Sequence, residues 1–342
     1  MPDATFDPDG PADCDALFGL PHTVEEAAVV VVPVPFEATA SYRRGTRAAP
    51  DAIRKASGQV DLHDSETGSP WRQGIAMEPI DPQVVEWNEQ ASRDALRVIG
   101  ATEAEDPEIA AARRRVDAVS ERLNAWVRER TESLFARGAI PAILGGDHSV
   151  AFGAIEAAAH RHPGLGILQV DAHCDLRPAY EGFTWSHASV FHNVTTRIPQ
   201  VAAIVQVGVR DLGEREWERA NEDDHITTWL QTHVGWLLAG GSAWGRLAHH
   251  MVEHLPETVW VSFDIDGLDP ALCPHTGAPV PGGLSWQDAL VLLRVLAETK
   301  RRIVGFDLCE VAPGPDEWDA IVGARLLYKL AGWALHTQET RR

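Results

Sequence analysis

Six apolar, β-branched runs punctuate this chain, and the segments between them carry helical spacing of apolar residues. The first, Ala27–Phe36, reads AAVVVVPVPF; Ile140–Leu144, Gly164–Val170, Ala202–Val209, Thr258–Phe263 and Arg302–Leu308 follow. Helices are expected over 109–136, 150–160, 244–255, 285–298 and 318–335. Strands with no polar face cannot border water. Alternating with helices, they predict a parallel sheet covered on both sides. The reading is one three-layer α/β/α domain over residues 25–338, with no internal repeat. Five of the runs end in polar clusters: GGDH, DAHCD, RDLGE, DIDGLDP and CEVAP. In open sheets of this kind ligands bind at that carboxyl edge.

Composition narrows the class. The formal charge is −20, which excludes a general nucleic-acid binder, since that needs a basic face to displace counterions. Lysine occurs only at 55, 300 and 329. A surface so acidic and lysine-poor suits a salty medium, where screening relieves self-repulsion; GC-rich codon usage would give the same composition. No run of ~18 apolar residues predicts a membrane span. Residues 1–24 are acidic and rich in Pro and Gly, without the basic and apolar regions of a signal peptide. They read as a mobile or loosely docked tail, and the location as cytoplasmic. Cys14, Cys174, Cys273 and Cys309 are scattered with no CxxC pair, as expected of free thiols. Residues 62–106 read as a long excursion with one short helix near 88–98, either a functional loop, a subunit contact or a solvated arm.

The densest chemistry is in DAHCD, where Asp171, His173 and Asp175 alternate. On an extended chain they would share one face. Asp264 and Asp266 repeat the pattern after another strand, and His148 follows a third. Four carboxylates in partly dry surroundings repel by several kcal/mol unless cations lie among them. Two divalent cations would cancel that charge. Oxygen-rich ligands with two imidazoles and no thiolate favour a hard ion such as Mn²⁺, with Ni²⁺ or Co²⁺ as alternatives. Cys174, between two candidate ligands, should point the other way, into the core. Asp147 reads either as a turn residue or as support for His148, Asp269 as a cap, and Arg177 as a brace for an acidic neighbour or an exposed residue.

GGDHS (145–149), DAHCD (171–175), SFDIDGLDP (262–270) and CEVAP (309–313) together resemble the ureohydrolase family of arginases, agmatinases and their relatives. SYRRGTRAAPDAIRKAS (41–57), SHAS (186–189) and TGAPVPGG (276–283) extend the resemblance more weakly. It implies an arginase-like fold and two Mn²⁺ ions. One ion would take His148, Asp171, Asp175 and Asp264, the other His173, Asp171, Asp264 and Asp266. It implies that Glu310 pairs with a substrate guanidinium, that His187 moves protons, and that hydroxide held between the metals, oriented by Asp175, attacks the guanidinium carbon. It also implies trimers or hexamers. The segment LRPAYEGFTWSHAS looks more like agmatinases than arginases, so agmatine, yielding putrescine and urea, is the expected substrate. Guanidinobutyrate, guanidine, arginine and formiminoglutamate are the alternatives. His275, where a glycine is common, is expected to line the entrance and bind substrate. Two other classes compete: a two-metal phosphoesterase, which Glu310 would disfavour by repelling an anion, and a non-catalytic metal-binding regulator.

Overall fold

The computed structural model describes residues 6–12, 15–102 and 106–339. Among them, the apolar runs form eight strands: β1 Val29–Val34, β2 Ile75–Met77, β3 Ile140–Gly145, β4 Leu165–Val170, β5 Val201–Val207, β6 Ile226–Trp229, β7 Thr258–Asp264 and β8 Arg302–Cys309. They make one sheet in the order β2-β1-β3-β8-β7-β4-β5-β6, parallel throughout. The α-helices are α1 Ala49–Ala56, α2 Pro82–Ile99, α3 Pro107–Ala136, α4 Phe152–Arg161, α5 Val190–Arg197, α6 Glu214–Glu222, α7 Gln231–Ala239, α8 Trp244–Glu253, α9 Trp286–Glu298 and α10 Trp318–Glu339.

Alternation along each strand divides the core in two. Val29 and Val31 of β1 join Leu168 and Val170 of β4 in a layer with α1, α8, α9 and α10. Val30, Val32 and Val34 point the other way, with Ile143 and Ile167, toward α2 to α6. Both faces of the sheet are therefore dry, as the sequence pattern requires.

Register positions the functional edge. Leu144 of β3 pairs with Leu308 of β8, Leu308 with Phe263 of β7, and Phe263 with Val170 of β4. These four central strands end level. Asp264 and Asp171 are each the next residue past that row, and the turns leading to His148 and Glu310 leave the same edge. The strand order reverses here, which opens a crevice in doubly wound sheets.

Two expectations change. Residues 62–106 are more ordered than a long excursion with one short helix. They include the edge strand β2 and the eighteen-residue α2, started by Asp81, whose carboxylate accepts from Gln83 N at 2.8 Å, and by Pro82 at its first position. α2 buries Val84, Trp87, Ala91 and Val98. α3 runs to Ala136 as expected, with Thr131 and Leu134 also buried. The N-terminal segment is docked from Leu17 to Leu20: Phe18 is 2 % exposed, its N–H donates to Ser57 Oγ at 2.7 Å, and its ring meets Tyr328 edge-on. Burying such a side chain contributes roughly 1.5–3 kcal/mol, enough to hold the segment down. Cys174, Cys273 and Cys309 are buried free thiols; Cys14 lies outside the described residues. No described helix is long and apolar enough to cross a membrane.

Candidate metal centre and active site

β3 ends at Gly145 and Gly146 follows it, and neither could carry a side chain: a Cβ would come within 2.7 Å of Cys309 Sγ at Gly145 and 1.8 Å of Phe36 O at Gly146. The chain then turns at Asp147, whose Oδ1 accepts from Ser149 N at 3.2 Å, and delivers His148 into the crevice. His148 is 1 % exposed. Its Nδ1 lies 3.1 Å from Asp171 Oδ2, 3.1 Å from Asp175 Oδ2 and 3.4 Å from Asp264 Oδ2. His173 Nδ1 lies 3.1 Å from Asp266 Oδ2 and 3.5 Å from Asp171 Oδ1. The six sequence-predicted ligands thus come together as two adjoining groups that share Asp171. In each of the triads His148–Asp171–Asp175 and Asp171–His173–Asp266, potential ligand atoms lie within 4.8 Å of one another.

The local reason differs from the expected one. β4 ends at Val170, so His173 and Asp175 are not carried by a strand pleat. Instead His173 N donates to Asp171 Oδ1 at 2.7 Å, closing an Asx turn. Asp175 then adopts a left-handed backbone with φ of 55°, a strain placed at the site itself. Its carbonyl accepts from Phe191 N and His192 N at the start of α5. The second pair follows the same rule: Asp266 N donates to Asp264 Oδ1 at 2.9 Å, and Asp266 Oδ1 accepts from Ala172 N at 3.0 Å. Side-chain-to-backbone turns, not alternation, gather the carboxylates.

The donor set fits divalent cations. His148 Nε2 is 3.0 Å from Ser262 Oγ, and Ser262 Oγ donates to Asp307 Oδ1 at 2.9 Å. With the hydroxyl proton spent on Asp307, Nε2–H must donate to Ser262. In the neutral ring Nδ1 then presents a lone pair to three carboxylates; those carboxylates hold a proton on it against the pull of burial, and a metal cation can take that proton's place. A lone pair facing anions calls for a cation between them. Left to protons, the cluster distorts its own acidities. Burial, then the Asp266 and Asp171 charges, push Asp264 well above the usual carboxylate range. Burial and Asp171 push Asp175 up to about 7. Burial opposes charge on His173, but Asp266 and Asp171 outweigh it and push that ring up to about 12.

Beside the cluster is a cavity of about 280 Å³. Glu310 reaches it from the end of β8 with φ of 61°. Its Oε1 accepts from His148 N at 3.0 Å, while Oε2 accepts no hydrogen bond among the described residues. Burial, then Asp147 and Asp266, raise its pKa well above normal, so an arriving cation would be welcome. His187 also lines the cavity. Thr39 Oγ1 donates to Asp147 Oδ2 at 3.2 Å, accepts from His187 N at 3.2 Å and lies 3.3 Å from His187 Nδ1. That order places the ring proton on Nδ1 and leaves Nε2 as an acceptor. Burial, then positive charge at His173 and His148, lower His187 to about 4, so it is neutral near pH 7.

The expectation that His275 lines the entrance is corrected. Its backbone N and Nδ1 bind Asp319 at 3.0 and 2.7 Å, its ring packs on Gly314, and it is not among the cavity's lining residues. Asp147 both caps its turn and, through Thr39, reaches His187. Arg177 braces Glu216 at 3.2 Å, and Asp269 caps its turn through Ala271 N. Cys174 is core, as its position predicted. Sequence reasoning missed Thr39, Ser262 and Asp307; the last two were visible as single polar residues inside apolar runs. It also missed Asp211 and Arg43 at the cavity wall.

A model of the Arginase family matches residues 27–332. Proclavaminate amidinohydrolase of Streptomyces clavuligerus is 30 % identical over 337 residues, 94 % of this chain and 94 % of that protein. N(1)-aminopropylagmatine ureohydrolase of Thermus thermophilus is 30 % identical over 92 % of this chain and 94 % of that protein. Among solved structures, the agmatine ureohydrolase of Thermoplasma volcanium superposes with a TM-score of 0.72 at 24 % identity, covering 96 % of each chain.

Proposed function

The chain belongs to the arginase family, and from that premise we propose that it hydrolyses a linear guanidino compound, with agmatine, giving putrescine and urea, as the first substrate to test. It is a hydrolase of C–N bonds in linear amidines. The observation that carries the reading is the pair of ligand groups sharing Asp171 beside a Glu310 oxygen that accepts no hydrogen bond among the described residues. His148, Asp171, Asp175 and Asp264 would hold one divalent ion, Mn²⁺ being the first candidate, and His173, Asp171, Asp264 and Asp266 the other. When bound, two such ions neutralise the carboxylates and make water nucleophilic near neutral pH.

The chain's own residues do the rest. Glu310 Oε2 accepts the guanidinium N–H groups and fixes the plane of the substrate carbon. Asp175, held in its left-handed turn, orients the attacking water. His187 takes up a proton at Nε2 and passes it to the departing amine; a ring with so low a resting pKa surrenders that proton readily. Asp211 is exposed at the cavity wall and forms no ion pair within 4.0 Å among the described residues, which suits the ammonium end of agmatine. A second reading has one observation behind it. Arg43 lines the same cavity and is held by Pro274 O at 3.0 Å, with no carboxylate partner among the described residues, which suits the carboxylate of guanidinobutyrate.

Urea release by Mn²⁺-supplemented protein from agmatine, guanidinobutyrate, arginine and guanidine decides among these. Agmatine should lead, and Asp211→Asn should raise its KM about tenfold, the order of one charged hydrogen bond. Weak turnover of agmatine beside strong turnover of guanidinobutyrate, lost in Arg43→Gln, would replace agmatine. Release of phosphate from esters, or no urea from any guanidine, would overturn the class. A cytoplasmic location and self-association into trimers or hexamers belong to the same proposal; light scattering on the purified protein tests the latter.

A further inference from the structure

One register row crosses five strands of the sheet below the ligand edge, and every position in it is polar. Thr228 of β6 pairs with Gln206 of β5, Gln206 with Gln169 of β4, Gln169 with Ser262 of β7, and Ser262 with Asp307 of β8. Gln206, Gln169, Ser262 and Asp307 are each 0 % exposed. Polar side chains inside a doubly covered parallel sheet are costly unless every group is paired. Here they are. The Ser262–Asp307 arm ends on His148, as described above.

The other arm ends on Asp171. Thr228 Oγ1 donates to Gln206 Oε1 at 2.7 Å. Gln206 Nε2 donates to Gln169 Oε1 at 2.6 Å and to Cys174 O at 2.9 Å. Gln169 Nε2 donates to Asp171 Oδ2 at 2.9 Å and to His173 O at 3.3 Å. The two main-chain carbonyls only accept, so both amides can point only one way. The consequence falls on Asp171. Its Oδ2 takes the Gln169 bond and faces His148, while its Oδ1 takes the His173 N–H and faces His173. One donated bond per oxygen fixes the carboxylate plane, with one oxygen turned to each ion position.

We infer that the file Thr228–Gln206–Gln169 is a positioning device that holds Asp171 as the bridge between the two ion positions, with Gln169 acting on Asp171 and Gln206 acting only through Gln169. The inference rests on the binuclear reading above. Supports of this kind commonly change metal affinity roughly 10–100-fold when removed.

The test is direct Mn²⁺ binding to the chelator-treated full chain, by calorimetry and by the electron paramagnetic resonance signal of a coupled Mn²⁺ pair. Gln169→Leu should weaken the second ion to bind by roughly 10–100-fold and diminish the coupled signal at equal Mn²⁺, with the fold retained by circular dichroism. Gln206→Leu should cost a few-fold alone and nothing further in the Gln169→Leu background. Unchanged affinity and coupled signal in folded Gln169→Leu would overturn the inference, as would an undiminished effect of Gln206→Leu in the double variant. If Gln169→Leu does not fold, Thr228→Val reads the file from its partly exposed end. About a twofold weakening there supports the inference, and none overturns it. Wild-type protein that bound no Mn²⁺ would sink the binuclear reading as well, whereas normal wild-type binding with unresponsive variants would sink this inference alone.

Discussion

The two halves of the cluster are built differently. The inner half, around His148, is closed: the imidazole is 1 % exposed, three carboxylate oxygens lie within 3.4 Å of Nδ1, and Ser262 and Asp307 hold the far nitrogen. The outer half, around His173, is more open: its side chain is 26 % exposed and meets two carboxylates, Asp266 and Asp171, within 3.5 Å. A dry, fully braced half should hold its ion tightly, and a half open to the cavity should exchange it. The same fold can thus anchor one charge permanently while leaving the other where substrate arrives.

The largest effect should come from removing what the halves share. Asp171→Asn deprives both of an anion, and urea release should fall by about a thousandfold or more, with coupled Mn²⁺ signal lost. Retention of the coupled signal would show that Asp171 is not the bridge. Next, the two histidines should part company. His148→Asn leaves three carboxylates around a void in the charge pattern and should abolish tight Mn²⁺ binding, whereas His173→Asn should leave one tight ion in equilibrium dialysis. Equal stoichiometries would erase the distinction between inner and outer.

A smaller effect belongs to the brace. Asp307→Asn keeps the shape but weakens the pull on Ser262, so the inner ion should loosen roughly 10–100-fold and the outer ion hardly at all. Smallest is the pH effect. With its pKa at about 12, His173 carries a proton across the physiological range and must release it to ligate. Outer affinity should therefore rise about tenfold per pH unit. The inner half adds Asp175, at about 7, and His148, raised well above its usual value by the surrounding carboxylates against the pull of burial. Its dependence should be steeper than the outer half's below pH 7 and lessen above it, where Asp175 has already ionised but His148 still has a proton to release. Calorimetry in buffers of different ionisation enthalpy counts the protons; a pH-independent affinity would contradict both slopes.

Much of this is legible before any coordinates. A buried parallel strand announces itself by an unbroken apolar run, and the six longer strands do so. β2, three residues long, and β6, whose ITTW is only partly buried, do not, because edge strands need no apolar run on both faces. The helix α2 reads too short in sequence because its polar exposed face dominates the pattern. The six candidate ligands stand out because clustered charge at strand ends is hard to explain otherwise. Their spacing suggests pleat alternation, yet the chain leaves the strand first and Asx turns do the gathering. His275 misleads because nearness to TGAP in sequence is not nearness to the cavity; Asp319, forty-four positions on, claims the ring. Gln169, Gln206, Ser262 and Asp307 go unread since a lone polar residue in an apolar run carries no partner in sequence, only in register.

The central claim is that paired cations neutralise one shared carboxylate cluster at the ends of β3, β4 and β7. Anomalous diffraction from crystals grown with Mn²⁺ tests it most directly. Two peaks are expected, one beside His148 and one beside His173, with Asp171 contributing one oxygen to each. No peak there, or a single peak that Asp171 does not touch, would contradict it.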